Sequence, residues 1–351
     1  MGVIESIRGV MWARRNQPED VAYVMGASHE RFGPAELIRQ TVLAEEAGFD
    51  GVACSDHLSP WWEPATAPAH CGNAWVWLGA AGAATSSISI GTGVTGIVHR
   101  YNPVVVAQQI ATLESLYPGR AYLGVGSSEA MNEVPAGMDW PSTGDQLRRT
   151  EEALTIITRL LDGETVTFEG EFFRTREARL YDRPARRPPV YLSAFHEQAA
   201  EVAGRLADGV WTLANPMIAS NVIAAYRRGA EAAGKPPGEI ILQALASYGE
   251  TDEAALEASR EWKPSLDDRL YTDPIWDTAE IERIGDEVSD TKFTAGNLVS
   301  ADADSHARKL GLMAKIGATA IVLVNAAGAD PEGLIRFYGT EVLPQLRDRL
   351  L

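Results

Sequence analysis

Strand-like and helix-like segments alternate along most of the chain, and this alternation limits the fold more than any other feature of the sequence. A parallel sheet with crossover helices produces such a rhythm, because each strand is followed by a helix that returns to the start of the next strand. The pattern predicts eight strands, over residues 21–27, 51–55, 88–94, 121–126, 190–194, 209–212, 240–247 and 320–325. Eight such units predict an α/β fold of the closed (β/α)8 type, the TIM barrel, in preference to an open sheet.

Two helices can be placed from the residues at their ends. Asn102 and Pro103 provide an N-cap and a first-turn proline for a helix that follows the third predicted strand. Apolar residues recur at helical spacing from Leu147 to Leu161, and Gly163 then marks the end of that helix.

Two segments interrupt the alternation. Residues 165–174 alternate in polarity around Glu169 and Gly170, which predicts a small β-hairpin. Residues 262–297 form a long polar segment before the last βα unit, and loops of that length are commonly lids or binding insertions. Because no linker rich in Pro, Gly or Ser divides the chain, we predict a single TIM-barrel domain over residues 1–351, with an insertion at about 262–297.

Charge and composition restrict the partners. The chain has 48 acidic and 31 basic residues, and its net charge of −17 repels the phosphate backbones of nucleic acids. No apolar run approaches the roughly 20 residues that span a bilayer, and the first residues lack a signal-peptide pattern, so we expect a cytoplasmic protein without membrane contact. Cys54 and Cys71 form no Cys-x-x-Cys pair and are expected to be reduced, and no His or Cys spacing predicts a metal site.

Asp56, His57 and Trp61 follow the second predicted strand, at the edge where TIM barrels carry their active sites. His57 can move a proton near neutral pH, Asp56 can orient the imidazole or a ligand amide, and Trp61 offers an indole N–H. Each residue also has a structural interpretation, as a helix cap, a loop histidine and a core aromatic. Their clustering at this edge favours function.

Glu129 follows the glycine-rich end of the fourth predicted strand, where a backbone can approach a ligand closely. A carboxylate there can act as an acid or base if burial raises its pKa. Asn132 shares its face if a helical turn begins at this point. A capping arrangement that begins at Ser128 is an equally good interpretation of Glu129 taken alone.

Residues 91–96 read Gly-Thr-Gly-Val-Thr-Gly and match the dinucleotide-binding fingerprint. A true fingerprint turns directly into a helix whose N-terminus holds the pyrophosphate, whereas residues 99–103 intervene here. Glu114, at about the expected acidic offset, falls inside a predicted helix and not at a strand end. Nicotinamide binding through this run is therefore disfavoured.

Four motifs together resemble the luciferase-like TIM barrels that use coenzyme F420, a 5-deazaflavin. The likeness runs from about Val24 to about Leu213 and is greatest to the branch of glucose-6-phosphate dehydrogenases and secondary alcohol dehydrogenases. The motifs are Ser55-Asp56-His57-x-x-Pro60-Trp61, Arg100-Tyr101-Asn102-Pro103, Leu116-Tyr117-Pro118-Gly119-Arg120 and the run from Gly124 to Glu133.

The resemblance implies that His57 and Glu129 are the proton-transfer pair and that Trp61 steadies the reacting centre. In alcohol oxidation His57 is then expected to take the hydroxyl proton, while Glu129 protonates the ring or balances its charge. The resemblance implies a cis peptide bond between Gly93 and Val94, a cofactor phosphate held by backbone N–H groups after Ala194, and a homodimer. The implied cofactor contacts are Asp56, Gly93, Val94, Gly96, Ser127, Ser128, Asn132, Phe195, His196, Gln198 and Ala199.

The sequence departs from the family where the substrate is bound. Pro216 and Gly296 stand where the glucose-6-phosphate enzymes carry a lysine and an arginine, and Gly96 replaces a common threonine. Cations of the insertion are candidate replacements, namely Lys263, Arg269 and Lys292. The predicted substrate-pocket residues are Trp75, Trp77 and Arg269.

We therefore predict an F420-dependent oxidoreductase that transfers a hydride between an alcohol or carbonyl carbon of a small substrate and the deazaflavin. Two enzymatic alternatives stay open: a reductase that uses reduced F420 on a C=C or C=N bond, and a sugar-phosphate dehydrogenase. A cofactor-binding protein without catalytic activity is disfavoured, because the acid and base residues are all present.

Overall fold

The computed structural model describes residues 21–348, and eight parallel strands close into a barrel at its centre. The barrel order is β1, β2, β3, β4, β7, β8, β9 and β11, and β11 pairs with β1 to close the ring. The strands are β1 (Ala22–Ala27), β2 (Gly51–Cys54), β3 (Ser89–Gly96), β4 (Ala121–Gly126), β5 (Val166–Glu169), β6 (Arg174–Ala178), β7 (Val190–Ser193), β8 (Gly209–Leu213), β9 (Glu239–Ser247), β10 (Leu298–Val299) and β11 (Ala320–Asn325). The predicted TIM barrel and all eight of its strands are confirmed.

Helices follow the barrel strands and cover the outside of the barrel. They are α1 (Pro34–Ala47), α2 (Ala74–Ala84), α3 (Pro103–Leu116), α4 (Ala130–Glu133), α5 (Thr143–Leu161), α6 (Glu197–Leu206), α7 (Pro216–Ala232), α8 (Asp252–Glu257), α9 (Arg269–Thr272), α10 (Thr278–Asp286), α11 (Asp290–Gly296), α12 (Ala303–Lys315), α13 (Pro331–Phe337) and α14 (Leu343–Asp348), with a 3₁₀ helix over Arg260–Leu266 and a π-helix over Tyr338–Val342. The predicted helix ends are confirmed: Asn102 accepts a hydrogen bond from the Val104 N–H at 2.9 Å, and Gly163, just after α5, is left-handed with φ of 89°. No helix within residues 21–348 is both long and apolar enough to cross a membrane.

Large side chains fill the interior of the barrel. Tyr122, Tyr191 and Trp211 belong to a buried cluster made of strand residues alone. The Tyr122 hydroxyl donates to the Val52 carbonyl at 2.8 Å, and the Trp211 indole N–H donates to the Gln243 side chain at 2.9 Å. Because this interior is packed, the space for a ligand lies at an end of the barrel and not along its axis.

Two smaller strand features complete the sheet structure. The predicted hairpin is present as the antiparallel pair β5 and β6. The strand β10, which pairs with the end of β9, was not predicted, because two residues are too few to show a periodic pattern.

The insertion, residues 262–297, is built from short helices and docks on the loop after β2. The ring of Trp262 lies 5.1 Å from that of Trp62 in an edge-to-face contact. Glu282 accepts hydrogen bonds from the Glu63 backbone N–H at 3.1 Å and from the Thr66 hydroxyl at 2.6 Å. The single domain over residues 1–351 stays a prediction, and these contacts support it.

Candidate active site

A cavity opens at the carboxyl ends of the barrel strands, and the space inside it together with the open solvent at its mouth amounts to about 1680 Å³. Strands β1, β2, β3, β4 and β7 supply its floor, and the insertion covers one side of it. The lining residues of these strands include the small side chains of Gly26, Ala27, Ala53, Gly93, Gly126 and Ser193, whereas β8, β9 and β11 add larger ones, among them Trp211, Leu245 and Val324. The small side chains leave room for a flat ring beside these five strands.

His57 lies between two carboxylates at the rim of this cavity. Its Nε2 is 3.6 Å from Oε1 of Glu30 and 4.0 Å from Oε2 of Glu129. Both distances exceed the roughly 2.7 to 3.2 Å of an N–H···O hydrogen bond, so neither carboxylate satisfies this nitrogen. Glu30 is the deeper of the two, with 3% of its side chain exposed against 17% for Glu129.

Asn132 lies between the loop that carries His57 and the carboxylate of Glu129. Its Oδ1 accepts from the backbone N–H groups of Leu58 at 2.8 Å and Ser59 at 3.3 Å. Its Nδ2 donates to Oε2 of Glu129 at 2.9 Å and lies 3.4 Å from Nδ1 of His57. Because an amide nitrogen only donates, this long contact favours the tautomer of neutral His57 that has its proton on Nε2, facing the carboxylates.

Asp56 is a buried carboxylate with several donors around it. Oδ2 accepts from the Thr95 hydroxyl at 3.0 Å, and Oδ1 accepts from the Tyr101 hydroxyl at 3.2 Å. Arg100 approaches Oδ1 to 3.7 Å and also lies 3.6 Å from Glu133, whose pKa is raised by burial. Burial and the charge of Asp56 raise the pKa of Tyr101 to about 12, which keeps that hydroxyl a donor. No helix begins near Asp56 in the described chain, so the helix-cap alternative is wrong.

Trp61 connects His57 to the insertion. Its ring lies 5.2 Å from the ring of His57 and 6.1 Å from that of Tyr271, and only 4% of the residue is exposed. Trp61 also lines the cavity. It therefore packs between His57 and the insertion.

The loops after β3 and β4 approach each other closely beside the floor. The peptide bond between Gly93 and Val94 is cis, as the resemblance implied, and Ser128 adopts a left-handed conformation with φ of 67°. A Cβ atom at Gly96 would lie only 2.5 Å from Cβ of Ser128. Glycine at position 96 is therefore explained by Ser128, and both line the cavity together with Ser127.

The N-terminus of α6 faces the same cavity. Phe195, His196 and Ala199 line it, whereas Gln198 is exposed and does not. His196 occupies the N-cap position but makes no side-chain capping hydrogen bond. The N–H groups of the first turn of α6 are therefore left without a side-chain cap, which is the arrangement that binds phosphate.

A sequence profile of the family described as luciferase-like monooxygenases matches residues 8–320. The chain belongs to this family. A protein of Microbacterium testaceum named F420-dependent glucose-6-phosphate dehydrogenase is 38% identical over 92% of this chain and 96% of its own length. A protein of the same name from Nakamurella multipartita is 38% identical over 94% of this chain and 98% of its own length.

A solved structure described as an F420-dependent secondary alcohol dehydrogenase in complex with an F420-acetone adduct is 31% identical to this luciferase-like chain. The match covers 94% of this chain and 100% of that one, with a TM-score of 0.89. The family resemblance that the sequence motifs predicted is confirmed.

Three predicted substrate-pocket residues of this luciferase-like barrel do not line the cavity. Trp75 and Trp77 belong to α2 and do not line the cavity, because residues two apart on a helix face different directions and this helix packs on the outside of the barrel. Arg269 does not line it either, since its guanidinium pairs with Asp267 at 2.8 Å and Glu287 at 2.7 Å. Asn132 and Gln198 are likewise absent from the cavity wall.

Two residues that sequence reasoning missed do line the cavity. Glu30 follows β1 by three residues, and an acidic side chain just past a strand was the signal that could have revealed it. Tyr271 comes from α9, and nothing in the local sequence distinguishes it from other aromatic residues of the insertion.

Proposed function

We propose that this chain is a coenzyme F420-dependent oxidoreductase that transfers a hydride between an alcohol or carbonyl carbon of a small substrate and the deazaflavin ring. The observation that carries the proposal is the Nε2 atom of His57, which lies between Glu30 and Glu129 at the cavity rim without a hydrogen-bond partner among the described residues. Hydride transfer at an alcohol carbon requires a group that handles the hydroxyl proton beside the cofactor ring. The names of the related dehydrogenases support the choice of cofactor.

The residues present fit this cofactor. The floor accepts a flat ring, and the uncapped N-terminus of α6 offers backbone donors for a phosphate. Bound F420 supplies a ring carbon that takes up or releases the hydride. We propose that Gly93, Val94, Gly96 and Ser127 contact the ring side of the cofactor, and that the backbone of Phe195, His196 and Ala199 lies beside its phosphate, which leaves the ring of Phe195 free.

The geometry also suggests how the proton moves. Neutral His57 has its proton on Nε2, so it donates a hydrogen bond to the substrate oxygen and cannot accept a proton at the same atom. We propose that the hydroxyl proton goes to Glu129, which is the more exposed carboxylate. Glu30, held by the Ser55 hydroxyl at 2.6 Å, also faces Nε2 of His57 and favours a proton on that atom. This assigns the acceptor role to a carboxylate, where the family resemblance gave it to His57.

Asp56, Ser128 and Asn132 have positioning roles in this proposal. Asp56 is fixed by Thr95 and Tyr101, and it lines the cavity beside His57. Asn132 connects Glu129 to the loop that carries His57.

We also propose that the protein is a cytoplasmic homodimer. The outer faces of α2 and α3 expose apolar side chains: Val76 is 78% exposed, Leu116 60% and Val105 43%. Apolar residues in such number on neighbouring helices are typical of a face that a second copy covers. Both cysteines, Cys54 and Cys71, are free, which supports a reducing compartment. Sedimentation of the purified protein, with and without the change Val76→Glu, tests the dimer.

Titration of the purified protein with F420, FMN and NAD tests the cofactor. We expect F420 to bind and the other two to bind far more weakly. Tight binding of NAD without binding of F420 would refute the proposal. Turnover is then measured with oxidised F420 and secondary alcohols, and with reduced F420 and ketones, alkenes or imines. Activity confined to alkenes or imines would assign the same site to the reductase alternative.

A further inference from the structure

The charged groups that line the cavity are of one sign. Three carboxylates face it, from Glu30, Asp56 and Glu129. Among the cavity-lining residues within 21–348, no side chain is a lysine or an arginine. An anionic substrate would therefore meet carboxylates without a cation to compensate its lost hydration.

No lysine or arginine of the insertion, Lys292 included, lines the cavity, and two of these cations are engaged with carboxylates. Lys263 lies 2.6 Å from Asp290. Arg269 forms its two ion pairs with Asp267 and Glu287. Moving either cation into the cavity would break these pairs and leave their carboxylates without a partner, so neither is a ready phosphate clamp.

Three aromatic rings in mutual contact line the cavity, and the first of them packs on His57. We call Trp61, Phe195 and Tyr271 the aromatic wall. The ring of Tyr271 lies 6.1 Å from Trp61 and 5.0 Å edge-to-face from Phe195, so it connects the other two. Its hydroxyl donates to the Ser265 carbonyl at 2.8 Å, and burial raises its pKa. Because the hydroxyl is used in this way, Tyr271 presents its ring to a ligand.

We propose that the aromatic wall selects a substrate with an uncharged apolar body, cyclic or aromatic, next to the reacting alcohol or carbonyl carbon, and that Tyr271 determines this specificity. The inference rests on the proposed F420-dependent activity and names its substrate class. A flat apolar body gains contact with three rings, whereas a phosphate or carboxylate on it gains no cation.

Two matched pairs of substrates separate the contribution of the body from that of the charge. We expect kcat/KM for 1-phenylethanol to exceed that for 2-propanol, which has the same carbinol group without the ring. We expect 4-(1-hydroxyethyl)benzoate, which adds one carboxylate, to react about tenfold or more less efficiently than 1-phenylethanol, on the scale of an uncompensated charged group. Glucose 6-phosphate should be the poorest substrate. Acetophenone and acetone with reduced F420 provide the same comparison in the opposite direction.

Variants of Tyr271 test its role. Tyr271→Ala should lower kcat/KM for 1-phenylethanol about tenfold and that for 2-propanol less than about threefold, since only the larger substrate reaches the wall. Tyr271→Phe keeps the ring and should retain the preference. Tyr181→Ala, at a tyrosine that is 82% exposed and outside the cavity, is the control and should change neither value.

F420 titration of each variant separates this inference from the proposed function. If F420 fails to bind the unchanged protein, the proposed function is wrong. If F420 binds and the alcohols react, but the carboxylate or phosphate substrates react as well as 1-phenylethanol, the substrate class is wrong. An equal loss on both alcohols in Tyr271→Ala, with unchanged F420 affinity, would refute the role of Tyr271.

Discussion

Replacing Asn132 by alanine is the sharpest test of how the site is held together. The residue is 1% exposed, and its side chain bonds the loop after β2 and the carboxylate of Glu129. The change removes the acceptor of the Leu58 N–H and one charge-assisted hydrogen bond to Glu129. Solvent can partly replace the lost acceptor, because Leu58 is 45% exposed. With about 1 kcal/mol for the first and about 1.5 kcal/mol for the second, the free energy of unfolding should fall by about 2 to 3 kcal/mol.

The catalytic effect of Asn132→Ala should be larger than the loss of stability suggests. His57 and Glu129 lose their common neighbour, and a displacement of about 1 Å in a catalytic group costs about 100-fold in rate. Urea unfolding gives the first quantity, and steady-state turnover at saturating F420 gives the second. Thr251→Ala is the control, because it removes the N-cap of α8 at a cost of about 1 kcal/mol and should leave turnover unchanged.

Two results would contradict this reasoning. Wild-type turnover in a correctly folded Asn132→Ala protein would show that the amide does not position His57 and Glu129. A weaker affinity for F420 with unchanged turnover at saturation would make Asn132 a cofactor contact, as the family resemblance implied. Asn132→Asp adds a further comparison, since it keeps the acceptor for Leu58 but places a second carboxylate 2.9 Å from Glu129 and should also lose activity.

Two further predictions concern the pair His57 and Glu129 and, separately, His306. Glu129→Gln and His57→Ala should each lower turnover by about two orders of magnitude or more, whereas His57→Gln, which keeps an N–H donor, should retain more activity than His57→Ala. Equal losses in the two His57 variants, measured by steady-state kinetics, would favour His57 as the base. Burial lowers the pKa of His306 to about 4 from 6.5, so the unfolded chain takes up this proton first as the pH falls. His306 should therefore leave the free energy of unfolding unchanged above pH 6.5 and lower it by up to about 3 kcal/mol as the pH falls to 4. Urea unfolding should find this pH dependence weakened in His306→Gln.

The barrel and the placement of Asp56, His57 and Glu129 at one edge of it could be predicted from local patterns alone. Buried parallel strands give continuous apolar runs, and Asp56, His57 and Glu129 directly follow two of them. The carboxyl ends of parallel strands meet at one edge, so residues far apart in sequence can be expected to lie together there. This is why the positions of His57 and Glu129 near each other required no knowledge of the tertiary structure.

The rest of the site depends on contacts that no local pattern encodes. Glu30 resembles a solvated loop residue until the Ser55 hydroxyl and His57 are brought to it from the next strand. Trp75 and Trp77 looked like pocket residues because the sequence alone did not show that both belong to a helix with one buried face. The helices of the insertion are too short to show periodicity. Tyr271 lines the cavity whereas Arg269 pairs with carboxylates outside it, and this difference follows only from how these helices dock.

The docking of the insertion on the loop after β2 has a consequence for how such enzymes can be recombined. Trp262 packs on Trp62, and Glu282 bonds the backbone of Glu63 and the hydroxyl of Thr66. A chimera that exchanged residues 262–297 alone with a relative would separate these partners and expose both surfaces to mismatched neighbours. The unit that can be inherited or transplanted intact is therefore discontinuous in sequence: the insertion together with residues 61–68, so that the segment beside His57 travels with the surface that carries Tyr271.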